Sequence, residues 1–150
     1  MSNSTYRVRS LGLLLALIAV GPILAAVNNT AATSTPTISE AGKLSVASVK
    51  KLLDEKKAVY IFDANGRDSY VAGHVPGAQW VEYDAVGKAQ LPKAKDAMLV
   101  FYCYNPMCGA SPRAAKDAIG LGYSNVWVMP DGIVGWRTAK MPIVAGAKAR

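Results

Sequence analysis

Three short, uninterrupted apolar runs constrain this chain most. They are Ala58–Phe62 (A-V-Y-I-F), Met98–Tyr102 (M-L-V-F-Y) and Asn125–Met129 (N-V-W-V-M). Runs of this length without polar alternation read as strands buried on both faces, as in a parallel sheet covered by helices. Helical periodicity fills the gaps between them. From Ser45, Val46, Val49, Leu52 and Leu53 share one face, with Ser45 as the cap. Arg67–Ala72 reads as a short helix ended by Gly73. Ser111–Leu121 turns Ala114, Ala115, Ala118 and Ile119 toward the core, with Ser111 at the N-cap and Pro112 at the first helical position. A short helical stretch follows Pro130-Asp-Gly132. Weaker signals are a strand over Gln79–Tyr83, loop or weak helix over residues 84–97, and a turn or edge strand over Met141–Val144. Strand–helix alternation favours a parallel α/β sheet, whose reactive groups gather at the strands' carboxyl ends. Asp63 and Cys103 follow two of these runs.

The N-terminal region has a different composition. Residues 1–10 carry Arg7 and Arg9 and no acid, and residues 11–27 carry no charge. This pattern predicts a secretory signal peptide, or an uncleaved N-terminal membrane anchor, over residues 1–27. Residues 28–41 are small and polar and read as a flexible linker. The domain is expected over residues 42–145, with a tail at 146–150. The expected location is outside the cytoplasm, in the periplasm, with contact to a membrane only through residues 11–27 if these are retained. The net charge of +7 is spread along the chain, and no aromatic stripe interleaves with the basic residues. That distribution describes a solvated basic surface and argues against nucleic acid as a partner.

Cys103 and Cys108 are the only two cysteines. They lie in one loop, C-Y-N-P-M-C-G-A-S, between a strand end and a helix start. Free backbone N–H groups and the positive end of the helix dipole favour a thiolate in such a place, without a side-chain cation. Cys103 is the candidate nucleophile. Cys108 can resolve a persulfide or mixed disulfide on Cys103, pair with it reversibly, or itself carry sulfur. A bridge across so small a loop stabilises little by chain entropy, so the pair suits chemistry better than stapling. Tyr104, Asn105, Met107, Gly109 and Ser111 are the candidate loop and pocket residues, with Asp63 and His74 in support. Asp63 reads either as an acceptor of loop N–H groups or as an ordinary turn residue, and His74, the only histidine, as structural. Two cysteines five positions apart are not a zinc pattern. Cys103, Met107 and Cys108 are soft donors of a kind that suits Cu(I), but no metal and no cofactor is assigned.

In order along the chain, these segments resemble the rhodanese-like domain family. The resemblance is carried by Asp63 with Tyr70-Val-Ala-Gly73-His74-Val-Pro-Gly-Ala78, by Val100-Phe-Tyr-Cys103, by Ser111-Pro-Arg-Ala-Ala115 with Leu121-Gly-Tyr123, by Asp131-Gly-Ile-Val-Gly-Trp136, and by Met141-Pro-Ile-Val144. It implies a three-layer α/β fold with a central, mainly parallel sheet of about five strands. It also implies a cysteine that carries sulfane sulfur as a persulfide. The family's common loop places a basic residue after the cysteine and four further residues. Counting from Cys103 that position is Cys108, and counting back from Ser111 it is Ala110. The related phosphatases end a loop of this length in arginine, where this chain has Gly109. Asn65 stands where the family has the arginine of Asp-x-Arg. Without a guanidinium partner for a dianion, thiosulfate is expected to be a poor donor. The resulting expectation is an exported sulfurtransferase or sulfane-sulfur carrier acting through Cys103, between a small sulfur donor and a thiol acceptor. The alternatives are a dithiol–disulfide redox protein using Cys103 and Cys108 with a redox partner, and a non-catalytic binding module.

Overall fold

The computed structural model describes residues 40–87 and 91–146. Residues 1–39, which include the expected signal or anchor and most of the expected linker, and residues 88–90 and 147–150 lie outside these. Nine elements follow in order: β1 (Gly42–Lys43), α1 (Val46–Asp54), β2 (Val59–Asp63), α2 (Arg67–Ala72), β3 (Gln79–Trp80), β4 (Met98–Tyr102), α3 (Ala110–Gly120), β5 (Val126–Val128) and α4 (Gly132–Thr138). The sheet has five strands in the order β1-β5-β4-β2-β3. Every pair is parallel. The apolar runs thus occupy the sheet centre, where both faces are covered.

Alternation along β2 and β4 sorts the core into two layers. Phe62, Leu99, Phe101 and Cys103 face α3, packing with Ala114, Ala115, Ala118, Tyr123 and Val126. Phe62 and Phe101 stack with ring centroids 5.0 Å apart. Ile61, Val100 and Tyr102 face the other way, onto Val46 and Val49 of α1 and Ile133 and Trp136 of α4. Small alanines on α3 let the helix lie close to the sheet. Ser45 caps α1 by accepting the Ser48 N–H at 3.1 Å. Gly73 ends α2.

Several elements are shorter than the sequence pattern predicts. The Gln79–Tyr83 strand pairs only at Gln79 and Trp80, because Val81 already turns under the sheet, its N–H donating to the Asp63 carbonyl. Residues 84–87 and 91–97 contain no helix. Met141–Val144 makes a single antiparallel bridge, Val144 with His74, rather than a strand. β1 carries no sequence signal of its own. It pairs with β5 at Gly42–Trp127, and a Cβ at Gly42 would lie 2.4 Å from the Trp127 ring. Among the described residues no helix is long and apolar enough to cross a membrane.

Trp136 is fully buried, and its indole N–H donates to the Pro142 carbonyl at 2.7 Å. Trp136→Ala is expected to lower unfolding free energy by about 3–5 kcal/mol, read from urea unfolding monitored by circular dichroism.

Candidate active site

β4 delivers Cys103 to the carboxyl end of the sheet, where the chain must turn sharply into α3. Two helices fix that turn. On one side the N–H groups of Ile133 and Val134, in the first turn of α4, donate to the carbonyls of Cys103 (2.9 Å) and Tyr104 (3.0 Å). This approach is possible only because residue 132 is glycine. Its φ is +61°, and a Cβ there would lie 2.5 Å from the Tyr104 carbonyl carbon and oxygen. On the other side α3 begins, and its first intrahelical bond runs from the Arg113 N–H to the Gly109 carbonyl. The N–H groups of Gly109, Ala110 and Ser111 therefore have no intrahelical acceptor, and Pro112 has no N–H to satisfy.

Between these anchors the loop is a β-turn. Asn105 and Pro106 occupy its first two positions, which suits both residue types. The Asn105 carbonyl accepts the Cys108 N–H at 3.0 Å, and its side-chain oxygen accepts the Met107 N–H at 3.0 Å. The turn brings the Cys103 and Cys108 sulfurs into direct contact, with Cα atoms 6.4 Å apart. That spacing lies within disulfide reach. The two sulfurs differ in exposure: Cys103 is 2% exposed, whereas Cys108 is half-buried. Met107 projects from the tip, 93% exposed, beside an exposed Tyr104.

The Ser111 hydroxyl lies 3.2 Å from Cys103 Sγ. The sequence pattern predicts this serine as the N-cap, but Gly109 takes that position and Ser111 sits inside the first turn, buried. Its hydroxyl therefore serves the sulfur instead of a backbone N–H. As a thiol, Cys103 faces the Cys108 carbonyl oxygen at 3.3 Å. The sulfur thus lies within hydrogen-bond distance of one hydroxyl and one carbonyl oxygen. No basic residue lies between Cys103 and Arg113. Arg113 itself is drawn along the helix to Asp117, 3.5 Å away.

Asp63 acts through its neighbours rather than on the loop N–H groups. Its carboxylate accepts the Asn65 N–H and side-chain amide, each at 2.8 Å, and the Tyr102 hydroxyl at 2.6 Å. The Tyr102 oxygen in turn accepts the Val75 N–H at 3.1 Å. The network ties the ends of β2 and β4 together immediately before Cys103. Burial raises the Asp63 pKa above its ordinary 3.8, outweighing the Tyr102 and Asn65 hydrogen bonds and the His74 charge. His74 is buried in this scaffold, stacked on Tyr70 with its Nδ1 2.8 Å from the Tyr70 carbonyl oxygen. Its backbone pairs with Val144. Among the described residues it makes no contact with either cysteine, and no group of three or more His, Cys, Asp or Glu is arranged to hold a metal.

Over residues 45–139 the chain matches one family model, the Rhodanese-like domain. The chain belongs to that family. It is 31% identical over 96 residues to the thiosulfate sulfurtransferase GlpE of Pseudoalteromonas translucida, covering 64% of this chain and 89% of the relative. It is 35% identical over 88 residues to GlpE of Pseudomonas fluorescens, covering 57% of this chain and 76% of the relative. Among solved structures, the rhodanese-like domain of the Alr3790 protein from Anabaena sp. superposes with a TM-score of 0.61 at 21% identity, over 72% of this chain and 82% of that one. This last likeness supports the rhodanese fold.

Two expectations follow from the geometry. Gly132→Ala should cost about 1–3 kcal/mol and loosen the cysteine loop, read as a lower urea midpoint together with a changed rate of Cys103 alkylation in reduced protein. The second concerns pH. Because the folded-state pKa of Asp63 is raised, folding takes up a proton, and this group's contribution to stability is largest below 3.8 and is lost as pH rises through the raised value. Unfolding free energies of the wild type and Asp63→Asn measured between about pH 4 and about pH 7 should show the wild type losing ground to the variant as pH rises.

Proposed function

We propose that this rhodanese-like domain is a sulfurtransferase or sulfane-sulfur carrier, with the transferred sulfur held as a persulfide on Cys103. The observation that carries the reading is the position of Cys103 Sγ, at the carboxyl end of the central strand and against the Ser111 hydroxyl at the start of α3. The GlpE relatives support it by their activity. In the forward step the Cys103 thiolate attacks the outer sulfur of a donor R–S–SH. The new S–S bond forms on Cys103, the donor's S–S bond breaks, and R–S⁻ leaves. An acceptor thiolate then takes the outer sulfur, returning Cys103 as thiolate. The loop offers backbone N–H groups but no guanidinium or ammonium. Persulfide and polysulfide donors of low charge are therefore its substrates, and the thiosulfate dianion is a poor one.

The contact between the two sulfurs favours a second reading, a dithiol–disulfide protein. Here Cys108 attacks Cys103 Sγ of the persulfide, forming the Cys103–Cys108 disulfide and expelling HS⁻. A thiol partner returns the pair to the dithiol with two electrons. We place the protein outside the cytoplasm, in the periplasm, on the composition of residues 1–27.

Single variants separate the readings. After incubation with polysulfide, intact-mass measurement of the wild type should show the addition of sulfur, removed by dithiothreitol. Cys103→Ser should abolish loading, and Cys108→Ser should retain it and lengthen persulfide lifetime. Loading that survives Cys103→Ser and is lost in Cys108→Ser reverses the two roles. Loading and redox behaviour unchanged in both variants leave only a binding module.

A further inference from the structure

Three sulfur-bearing side chains fall within one short turn, Cys103-Tyr-Asn-Pro-Met107-Cys108. Sulfur exchange uses the two cysteines and leaves Met107 without a task. Met107 is 93% exposed, so it adds nothing to the core. Its backbone is nonetheless held. Pro106 restricts the turn, the Met107 N–H donates to the Asn105 side-chain oxygen at 3.0 Å, and the Cys108 N–H donates to the Asn105 carbonyl at 3.0 Å. A flexible thioether is thus mounted next to Cys108 on a fixed turn, with its rotamers free.

The cysteines have Cα atoms 6.4 Å apart and sulfurs in contact. In the reduced chain, rotation of the half-buried Cys108 side chain opens a gap between the two thiols. A metal–sulfur bond of about 2.3 Å sets the sulfurs of a bridged pair roughly 4–5 Å apart, which this backbone spacing accommodates. Cys108 also lines a cavity of about 440 Å³ beside the loop, which gives an ion an entry path.

The donor set selects the ion. Thiolates and a thioether are soft ligands that suit Cu(I). Zinc takes four ligands, and among the described residues no group of three or more His, Cys, Asp or Glu is arranged to supply them. The charges agree. No basic side chain lies between Cys103 and Arg113, and Arg113 is drawn to Asp117, 3.5 Å away, so no neighbouring cation in the loop repels an incoming one. Two thiolates and one monovalent cation carry a single net negative charge. The first N–H groups of α3 favour that charge, and the Ser111 hydroxyl lies 3.2 Å from Cys103 Sγ, in reach to donate to it. The lack of a guanidinium that disfavours a dianionic substrate therefore suits a soft cation.

We propose that the reduced loop is a Cu(I) site, with Cys103 and Cys108 as thiolate ligands and Met107 as a third, thioether ligand. Three Cu–S bonds form, the two thiol protons pass to solvent, and no electron is transferred. The assignment needs only the dithiol and does not rest on the sulfur-transfer reading.

The test uses the full chain, reduced, desalted and kept free of oxygen. Cu(I), supplied as its acetonitrile complex, is titrated in against bicinchoninate as competitor. One ion should bind per chain, with no change in elution on size exclusion. X-ray absorption should show three sulfur neighbours and no nitrogen or oxygen. Met107→Leu, at a position with no packing to lose, should reduce these to two and weaken binding. Ser111→Ala should weaken binding about tenfold, as loss of a hydrogen bond to a ligand does. Cys108→Ser should abolish binding against the competitor, and zinc chloride in place of copper should be lost on desalting. Full binding in Cys108→Ser, a spectrum unchanged by Met107→Leu, a copper-bridged dimer, or zinc retained through desalting overturns the site. A three-sulfur copper site in a chain that never loads sulfur keeps this assignment and overturns the sulfur-transfer reading instead.

Discussion

The cysteine loop exists because α4 grips the backbone just past β4. Two N–H groups from the first turn of α4 take the Cys103 and Tyr104 carbonyls. Without them, two carbonyls at the end of a buried strand would lack partners at a place with little access to water. The grip requires residue 132 to have no side chain, and it requires α4 to be seated by Trp136 and Ile133 in the lower core. The site is therefore held by a helix that contributes no side chain to the sulfur chemistry.

A second constraint acts from the sheet. Asp63, Tyr102 and Asn65 form a closed set of hydrogen bonds that joins β2 to β4 one residue before Cys103. Burying a carboxylate is costly, and three donors offset part of that cost here. Asn65, which replaces a cation in the family's pattern, serves this network directly. The substitution is a local solution: the amide donates to Asp63 and leaves the sulfur end of the loop without any positive side chain.

The central architecture was legible because its signals are local. β4 and α2 match the sequence pattern at both ends, and β2 and α3 match it to within a residue at each end, since continuous apolar runs, the Gly73 stop and the alanine face each have one physical reading. β1 was not legible, because its two residues are chosen by the Trp127 ring that packs on Gly42 rather than by strand propensity. The cap of α3 was misread by two residues, Ser111 for Gly109, since Ser111 followed by Pro112 looks like a cap whenever the sulfur next to it is invisible. The sequence places Cys103 and Cys108 in one loop and leaves their pairing open; the contact of the two sulfurs belongs to the folded chain. The cavity beside the loop was not legible, because its lining is drawn from segments far apart in sequence, around Lys43, Cys108 and Val128. Gly132 was visible as a family element, but the reason for it, a carbonyl 2.5 Å from where a Cβ would be, belongs to the folded chain.

The unequal burial of the two sulfurs imposes a direction on any exchange at an oxidised pair. An incoming thiolate needs a collinear path to the sulfur it attacks, and at an oxidised pair the half-buried Cys108 is the more accessible of the two, Cys103 being 2% exposed. Cys108 also lines the cavity beside the loop. At such a pair, attack there would join the visitor to Cys108 and release Cys103, whose sulfur lies beside the Ser111 hydroxyl. The loop would in this sense work as a one-way valve, in which the accessible sulfur accepts the newcomer and the sheltered one leaves.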